Sequence, residues 1–167
     1  MREYTINNQL DYILKDIYKN NYDVVFFSTY IWNIYDIVKL CDNLKKVKPE
    51  IKIGLGGPEV TYDSESAMEK YEFLDYILCG EGELVFRDLV KHLLGQKKIE
   101  DVKGIVYRED KKIIVNEEME LLQNLDEIPS PYENLDVKEY ENRIVYYETS
   151  RGCPFNCQYC LSSAIKG

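Results

Sequence analysis

The sequence lacks a long apolar run and a basic cluster. No hydrophobic stretch approaches the roughly 20 residues that a membrane-spanning helix needs. The first residues, Met1 to Tyr4, do not resemble a signal peptide. We therefore expect a cytoplasmic protein without a membrane partner. The formal net charge of −9 argues against a nucleic-acid partner, because phosphate backbones are bound by basic surfaces.

The sequence also has little histidine and an odd number of cysteines. The five cysteines are an odd number, which argues against a disulfide framework in a chain without a signal peptide. Three of them, Cys153, Cys157 and Cys160, form a C-x3-C-x2-C run on a predicted loop. Three thiolates on one short loop can converge on one soft metal centre. Zinc with a fourth ligand from elsewhere stays an alternative, although the only histidine, His92, lies in a predicted helix.

The first hundred residues alternate between short apolar strands and amphipathic helices. Strands that are apolar throughout are typical of a parallel sheet with helices on both faces. We therefore predict an α/β fold with a Rossmann-like (flavodoxin-like) doubly wound parallel sheet. The predicted strands are 2–6, 23–27, 51–55 and 75–78, and the predicted helices have apolar stripes within 10–17, 34–44, 64–71 and 85–93.

The pattern changes after residue 100. Two short apolar runs, 105–108 and 113–115, flank a charged turn and predict a β-hairpin. A polar, proline-bearing stretch follows up to residue 143, and a strand is predicted at 144–149. We predict an α/β domain at 1–100, a hairpin and linker at 101–143, and the start of a second domain at 144–167.

Small and polar residues follow three of the predicted strands. Ligands collect beyond the carboxyl ends of the strands in an open parallel sheet. Hydroxyl groups there can donate to a ring nitrogen or a phosphate, and glycines let a ligand approach the backbone. Carboxylates after the third strand would repel a phosphate and suit a ligand with hydroxyls or amides to donate. The candidate residues are Ser28 and Thr29, Gly56 and Gly57, and Gly80, Glu81 and Gly82.

The run from Ser150 to Cys160 resembles the cluster loop of radical SAM enzymes, in its spacing and in the Tyr159 that directly precedes its last cysteine. The resemblance implies that the three cysteines hold a [4Fe-4S] cluster whose fourth iron binds S-adenosylmethionine. It also implies that Tyr159 lies near the adenine and that an external electron donor reduces the cluster. The resemblance covers only about the last two dozen residues.

The first domain resembles the cobalamin (B12)-binding domain that precedes the barrel in one large class of radical SAM enzymes. Ser28-Thr29-Tyr30 stands where such domains have a Ser-x-Leu turn, and Gly56-Gly57 stands where they have a glycine pair. Tyr30 departs from the leucine of that pattern, and no Asp-x-His-x-x-Gly motif is present to ligate cobalt. The resemblance implies that Ser28, Thr29, Gly56 and Gly57 contact the dimethylbenzimidazole tail of cobalamin, with Gly80, Glu81 and Gly82 close by.

Both resemblances lead us to expect an amino-terminal fragment of a longer enzyme, without the first strand of its first domain and without most of its barrel. Such a fragment would expose a hydrophobic sheet edge, through which it could dimerise. The parent would cleave S-adenosylmethionine reductively to a 5′-deoxyadenosyl radical, for methyl transfer to an unreactive carbon. The fragment alone would be inactive, and its sequence does not specify the substrate.

Two alternatives stay open. In the first, the parent is a radical SAM enzyme whose first domain contacts substrate or a partner and binds no cobalamin. In the second, the chain is a zinc or iron–sulfur binding module without SAM chemistry. A methylthiotransferase parent is disfavoured, because only Cys41 and Cys79 remain in the first domain for the second three-cysteine set of those enzymes.

Overall fold

The computed structural model describes residues 4–5, 7–130, 132, 141, 145, 147–153, 155 and 157–160. The chain divides into two compact units, Met1–Met119 and Glu120–Gly167. In the described ranges, no helix has both the length and the apolar character needed to cross a membrane.

The first unit alternates between helices and strands, as the sequence pattern predicts. The helices among its described residues are α1 Leu10–Lys19, α2 Ile34–Val47, α3 Pro58–Thr61, α4 Ser64–Lys70 and α5 Gly82–Leu93. Its five strands are β1 Val24–Ser28, β2 Lys52–Gly56, β3 Tyr76–Leu78, β4 Ile105–Glu109 and β5 Lys112–Val115. Short 3₁₀ turns lie at Ile99–Asp101 in this unit and at Leu125–Glu127 in the second.

The five strands form one sheet in the order β1-β2-β3-β4-β5. Strands β1, β2 and β3 run parallel, whereas β4 pairs antiparallel with β3 and β5 pairs antiparallel with β4. The α/β Rossmann-like class is therefore confirmed. The sequence predicts the hairpin but not its place in the sheet. Asp110 and Lys111 have positive φ angles of 45° and 69°, the conformation of a two-residue hairpin turn.

The sheet separates two hydrophobic cores, so helices cover both of its faces. Successive residues of a strand point to opposite faces. Ile77 accordingly packs in the core that contains α1, α2 and α4, while Leu78 packs in the core that contains α5. In β4, Val106 belongs to the first core and Ile105 to the second. These strands are apolar on both faces because helices cover both faces of the sheet.

Cys41 lies within the first core, as its position in the apolar stripe of α2 predicts. Its side chain is fully buried, and burial raises the pKa of its thiol. A thiol of this kind behaves as a small hydrophobic residue and not as a metal ligand.

Strand β1 forms one edge of the described sheet. Its residues Val24 to Phe27 are half-buried, whereas Ile53, Gly54 and Leu55 in the neighbouring strand β2 are buried. The predicted strand at 2–6 is absent at Tyr4 and Thr5, and its other residues lie outside the described ones. Pairing of β1 with a further strand or with a second molecule stays a prediction.

The strand predicted at 144–149 in the second unit is not observed at its described residues. Val145 and residues 147–149 have no strand structure, while Ile144 and Tyr146 lie outside the described residues. A strand requires a neighbour to complete its backbone hydrogen bonds. The described part of this unit contains no strand that could act as that neighbour.

Asp88, in the middle of α5, pairs with a cluster of cations. Its side chain accepts hydrogen bonds from Lys97 Nζ at 2.6 Å and Arg87 Nε at 2.9 Å. Burial raises the pKa of Asp88, but these cationic donors outweigh burial and lower it to about 2. His92 on the same helix is half-buried and places Nδ1 3.1 Å from the carbonyl oxygen of Lys97.

We expect Asp88→Asn to lower the free energy of unfolding by about 2 kcal/mol at pH 7, because a carboxylate with a lowered pKa stabilises the folded state. This stabilisation is fully present above the ordinary pKa of 3.8 and is lost as the pH falls through about 2. Urea unfolding at pH 7 and pH 3 measures the difference. A difference between the two proteins that does not narrow at pH 3 would contradict the electrostatic origin.

Candidate ligand-binding edge of the sheet

The carboxyl ends of the three parallel strands lie side by side. Ser28 at the end of β1 is in register with Gly56 at the end of β2, and Gly56 is in register with Leu78 at the end of β3. Adjacent strands are about 4.8 Å apart, so the segments that follow them form one continuous edge. This edge contains all the candidate residues of the first unit.

The two adjacent hydroxyl residues have different environments. Thr29 is fully buried, and both its backbone N–H and its Oγ1 donate to the carbonyl oxygen of Gly56 at 2.7 Å. The single hydroxyl proton of Thr29 is therefore used within the fold. Ser28 is exposed at the end of β1, so its hydroxyl is the one that can donate to a ligand.

Gly57 is required by the protein's own backbone. Its φ of 96° and ψ of 170° belong to a region that essentially only glycine occupies. A Cβ at this position would lie 2.5 Å from the carbonyl oxygen of Thr29 and 2.9 Å from its nitrogen. At Gly56 the nearest atoms to a Cβ would be those of Leu78, at an ordinary 3.7 Å. Gly57 therefore permits the close approach of the loops after β1 and β2.

Open space lies instead at the loop between β3 and α5. Gly80 has a φ of 79°, and Gly82 is the first residue of α5. A Cβ at either glycine would have no heavy atom within 4 Å among the described residues. Between them, Glu81 is the N-cap residue of α5 and is half-buried. The glycines give a large ligand access to the backbone, and the carboxylate can accept hydrogen bonds from ligand amides or hydroxyls.

Cys79 precedes this loop and is half-buried. Burial raises the pKa of its thiol, and a hydrogen bond with Ser64 only partly opposes that effect. The raised pKa makes this thiol a poorer metal ligand than an exposed cysteine, because a metal binds the thiolate.

The structure adds an aromatic pair that the sequence does not predict. The rings of Tyr30 and Trp32, in the loop after β1, stack with centroids 4.7 Å apart and an interplanar angle of 3°. The following residue, Asn33, accepts a hydrogen bond from the Tyr30 N–H at 2.7 Å and donates to the Ser28 carbonyl oxygen at 3.1 Å. The sequence signal for this arrangement is the pair of aromatics two residues apart, directly before an asparagine that can bridge a turn.

The cysteine loop belongs to the second unit. Cys153 and Cys157 are half-buried, and Cys160 and Tyr159 are exposed. The Cys160 N–H donates to the Cys157 carbonyl oxygen at 3.1 Å, which closes a turn between these two cysteines. Across the described residues of the whole chain, no three side chains of His, Cys, Asp or Glu are grouped to hold a metal ion. The three cysteines have the donor chemistry of a soft metal site, but the structure does not bring their side chains together.

The first unit is a Rossmann-like domain with an exposed hydroxyl and two open glycines at the carboxyl edge of its parallel strands, where ligands collect in open α/β sheets. The model of the B12 binding domain family matches residues 1–90. The chain belongs to the B12-binding domain family.

Similar proteins include larger enzymes. An uncharacterized methyltransferase of Pyrococcus horikoshii, PH0819, is 35% identical over 155 residues, which are 90% of this chain and 34% of that protein. The cobalamin-dependent radical SAM methyltransferase TokK of Streptomyces tokunonensis is 31% identical over 148 residues, which are 83% of this chain and 22% of that protein. The chain therefore spans between about a fifth and about a third of the length of these relatives.

The fold is also similar to a solved structure. The structure of apo OxsB, a cobalamin-dependent S-adenosylmethionine radical enzyme, matches with a TM-score of 0.69 and 24% identity. The match covers 89% of this chain and 21% of that protein.

Proposed function

We propose that the first unit binds cobalamin and that the chain forms part of a cobalamin-dependent radical SAM enzyme, most simply a methyltransferase. One observation carries this proposal. The residues that match the B12-binding family also place an exposed Ser28 hydroxyl and the open Gly80 and Gly82 along one edge of the sheet. The names of the relatives PH0819 and TokK support methyl transfer by the whole protein.

The residues of this edge fit cobalamin. The Ser28 hydroxyl can donate to the ring nitrogen of the benzimidazole tail, and Thr29 and Gly57 hold the loops on which that contact depends. Glu81 can accept hydrogen bonds from the amide groups at the rim of the corrin. His92, the only histidine, lies in the last turn of α5, far along the helix from Gly82, and so is not a candidate ligand for cobalt.

The cysteine loop completes the proposal. Cys153, Cys157 and Cys160 would hold a [4Fe-4S] cluster with S-adenosylmethionine, and the exposed ring of Tyr159 would contact the adenine. When bound, these groups and cobalamin supply the radical and methyl-transfer chemistry. The contribution of this chain is to bind and orient them.

A binding experiment tests the cobalamin proposal. The 167-residue chain is mixed with hydroxocobalamin and desalted, and the retained corrinoid is read from its visible absorbance. We expect the wild-type chain to retain the corrinoid, and Gly82→Trp to retain at least tenfold less. An indole at residue 82 would fill the open space at the start of α5, where no described atom lies within 4 Å of the Cβ position.

Gln96→Trp is the matched control. Gln96 is exposed and lies just beyond the carboxyl end of α5. An indole at this position therefore adds the same group at the opposite end of the helix from Gly82. We expect this variant to retain corrinoid as the wild type does. If the wild-type chain retains none, the cobalamin proposal is wrong, and a first domain that contacts substrate or a partner becomes the better hypothesis. If Gly82→Trp retained as much corrinoid as the wild type, the β3–α5 loop would not be part of the cobalamin site.

A further inference from the structure

The loop between β1 and α2 exposes an unusual amount of aromatic surface. Trp32 has 74% of its surface exposed, and its stacking partner Tyr30 has 38% exposed. Trp32 is therefore the outer ring of the pair, and much of its surface is open to solvent. Isolated exposed apolar residues are common on protein surfaces, but a stacked aromatic pair at a ligand-binding edge is a structured surface.

Hydrogen bonds order the backbone of the loop that carries this pair. Asn33 bridges the Tyr30 N–H and the Ser28 carbonyl oxygen, and the N–H groups of Asn33 and Ile34 both donate to the Tyr30 carbonyl oxygen at 3.0 Å. These bonds tie the aromatic loop to the end of β1 and to the start of α2. A ring that is ordered before binding loses little conformational entropy when a ligand stacks on it.

The position of the pair identifies the part of the ligand that it can contact. Tyr30 follows Ser28 by two residues, on the edge strand of the parallel set. The Ser28 hydroxyl is the proposed donor to the benzimidazole nitrogen. A planar heterocycle held by Ser28 has an aromatic face to cover, and offset stacking on an indole is a favourable way to cover it. The corrin rim, in contrast, is crowded with amide groups that require hydrogen-bond partners.

We infer that the Tyr30–Trp32 pair is the stacking platform for the dimethylbenzimidazole tail of cobalamin, with Trp32 as the ring that contacts it. This inference rests on the proposed cobalamin function. It also assigns a role to Tyr30, which stands where the family pattern has a leucine. Tyr30 supports the indole from behind by its stacking contact, and so it is a positioning residue.

The test compares two corrinoids that differ only in the tail. Hydroxocobalamin carries the benzimidazole nucleotide, whereas cobinamide keeps the corrin ring and cobalt but lacks the nucleotide. Dissociation constants are measured by equilibrium dialysis with the 167-residue chain and its variants. Stacking of a base on an aromatic side chain contributes enough that its removal weakens binding about tenfold or more. We expect Trp32→Ala to weaken hydroxocobalamin binding by at least that factor and to leave cobinamide binding unchanged, while Trp32→Phe retains most of the affinity.

Tyr35→Ala is the matched control, because Tyr35 is an equally exposed aromatic residue in the first turn of α2 and lies outside the stacked pair. We expect it to bind both corrinoids as the wild type does. Unchanged hydroxocobalamin affinity in Trp32→Ala, or an equal loss for both corrinoids, would overturn the assignment to the tail. Failure of the wild-type chain to bind hydroxocobalamin would instead overturn the proposed function. Unfolding temperatures of the variants separate a loss of contact from a loss of fold.

Discussion

Gly57→Ala is expected to lower the free energy of unfolding of the first unit by about 3 kcal/mol. The φ of 96° and ψ of 170° are strained for any residue with a Cβ. The added methyl group would also meet the carbonyl oxygen of Thr29 at 2.5 Å, and this neighbour is backbone that cannot rotate away. Urea unfolding followed by circular dichroism gives the change in free energy.

Gly56→Ala provides the comparison for this prediction. The two glycines are adjacent, but Gly56 is in an extended strand and its Cβ would lie 3.7 Å from Leu78. We expect a change within about 1 kcal/mol for this variant. Equal destabilisation by both substitutions would show that backbone strain at Gly57 is not the dominant effect.

Asp75→Ala is expected to destabilise the first unit by a similar amount, about 3 kcal/mol. The buried carboxylate accepts hydrogen bonds from Lys45 Nζ at 2.8 Å, Lys52 Nζ at 2.7 Å and the buried Ile53 N–H at 2.9 Å. Its removal leaves that N–H without its acceptor and leaves Lys45, which is mostly buried, without its carboxylate. Thermal and urea unfolding at pH 7 measure the loss.

The pH dependence of this contribution has a definite sign. Burial raises the pKa of Asp75, but the hydrogen bonds from Lys45, Lys52 and Ile53 outweigh burial, so the pKa lies below its ordinary value of 3.8. The stabilisation is therefore present above the ordinary pKa and is lost as the pH falls through the lowered value.

Asp42→Ala is the matched control for Asp75. Asp42 pairs with Lys46 one turn along α2, and both side chains are largely exposed. Exposed pairs of this kind contribute about 0.5 kcal/mol or less, so we expect little change. A loss in Asp75→Ala no larger than that in Asp42→Ala would show that the carboxylate is screened by solvent and not an anchor between α2, β2 and β3.

The local sequence was sufficient for most elements of the first unit. Continuous apolar runs predict β1, β2 and β3 because these strands are buried on both faces, and the charged turn at 109–112 predicts the β4–β5 hairpin. Helical spacing of apolar residues predicts α1, α2, α4 and α5, since each helix buries one stripe. The family resemblance carried by these residues is confirmed by the match of the B12-binding family to residues 1–90.

Contacts between distant residues could not be predicted from the sequence. Asp75 meets Lys45 and Lys52 across 30 and 23 residues, and no local pattern selects these cations among the 21 in the chain. For the same reason, the sequence could not predict that β4 would pair with β3 and extend the parallel sheet. The spacing of a motif likewise specifies which thiols are candidates, but not whether they converge.

At the carboxyl edge of the sheet, the sequence by itself determined which residues follow the parallel strands, because strand ends are set by local apolar runs and glycines. The tertiary structure alone decided what each residue does there. It directs the Thr29 hydroxyl to the Gly56 carbonyl and leaves Ser28 exposed. It places the Thr29 backbone so close to residue 57 that only glycine fits there, and it stacks Tyr30 on Trp32. The roles of Thr29 and Gly57 depend on the register between β1 and β2, which long-range packing sets.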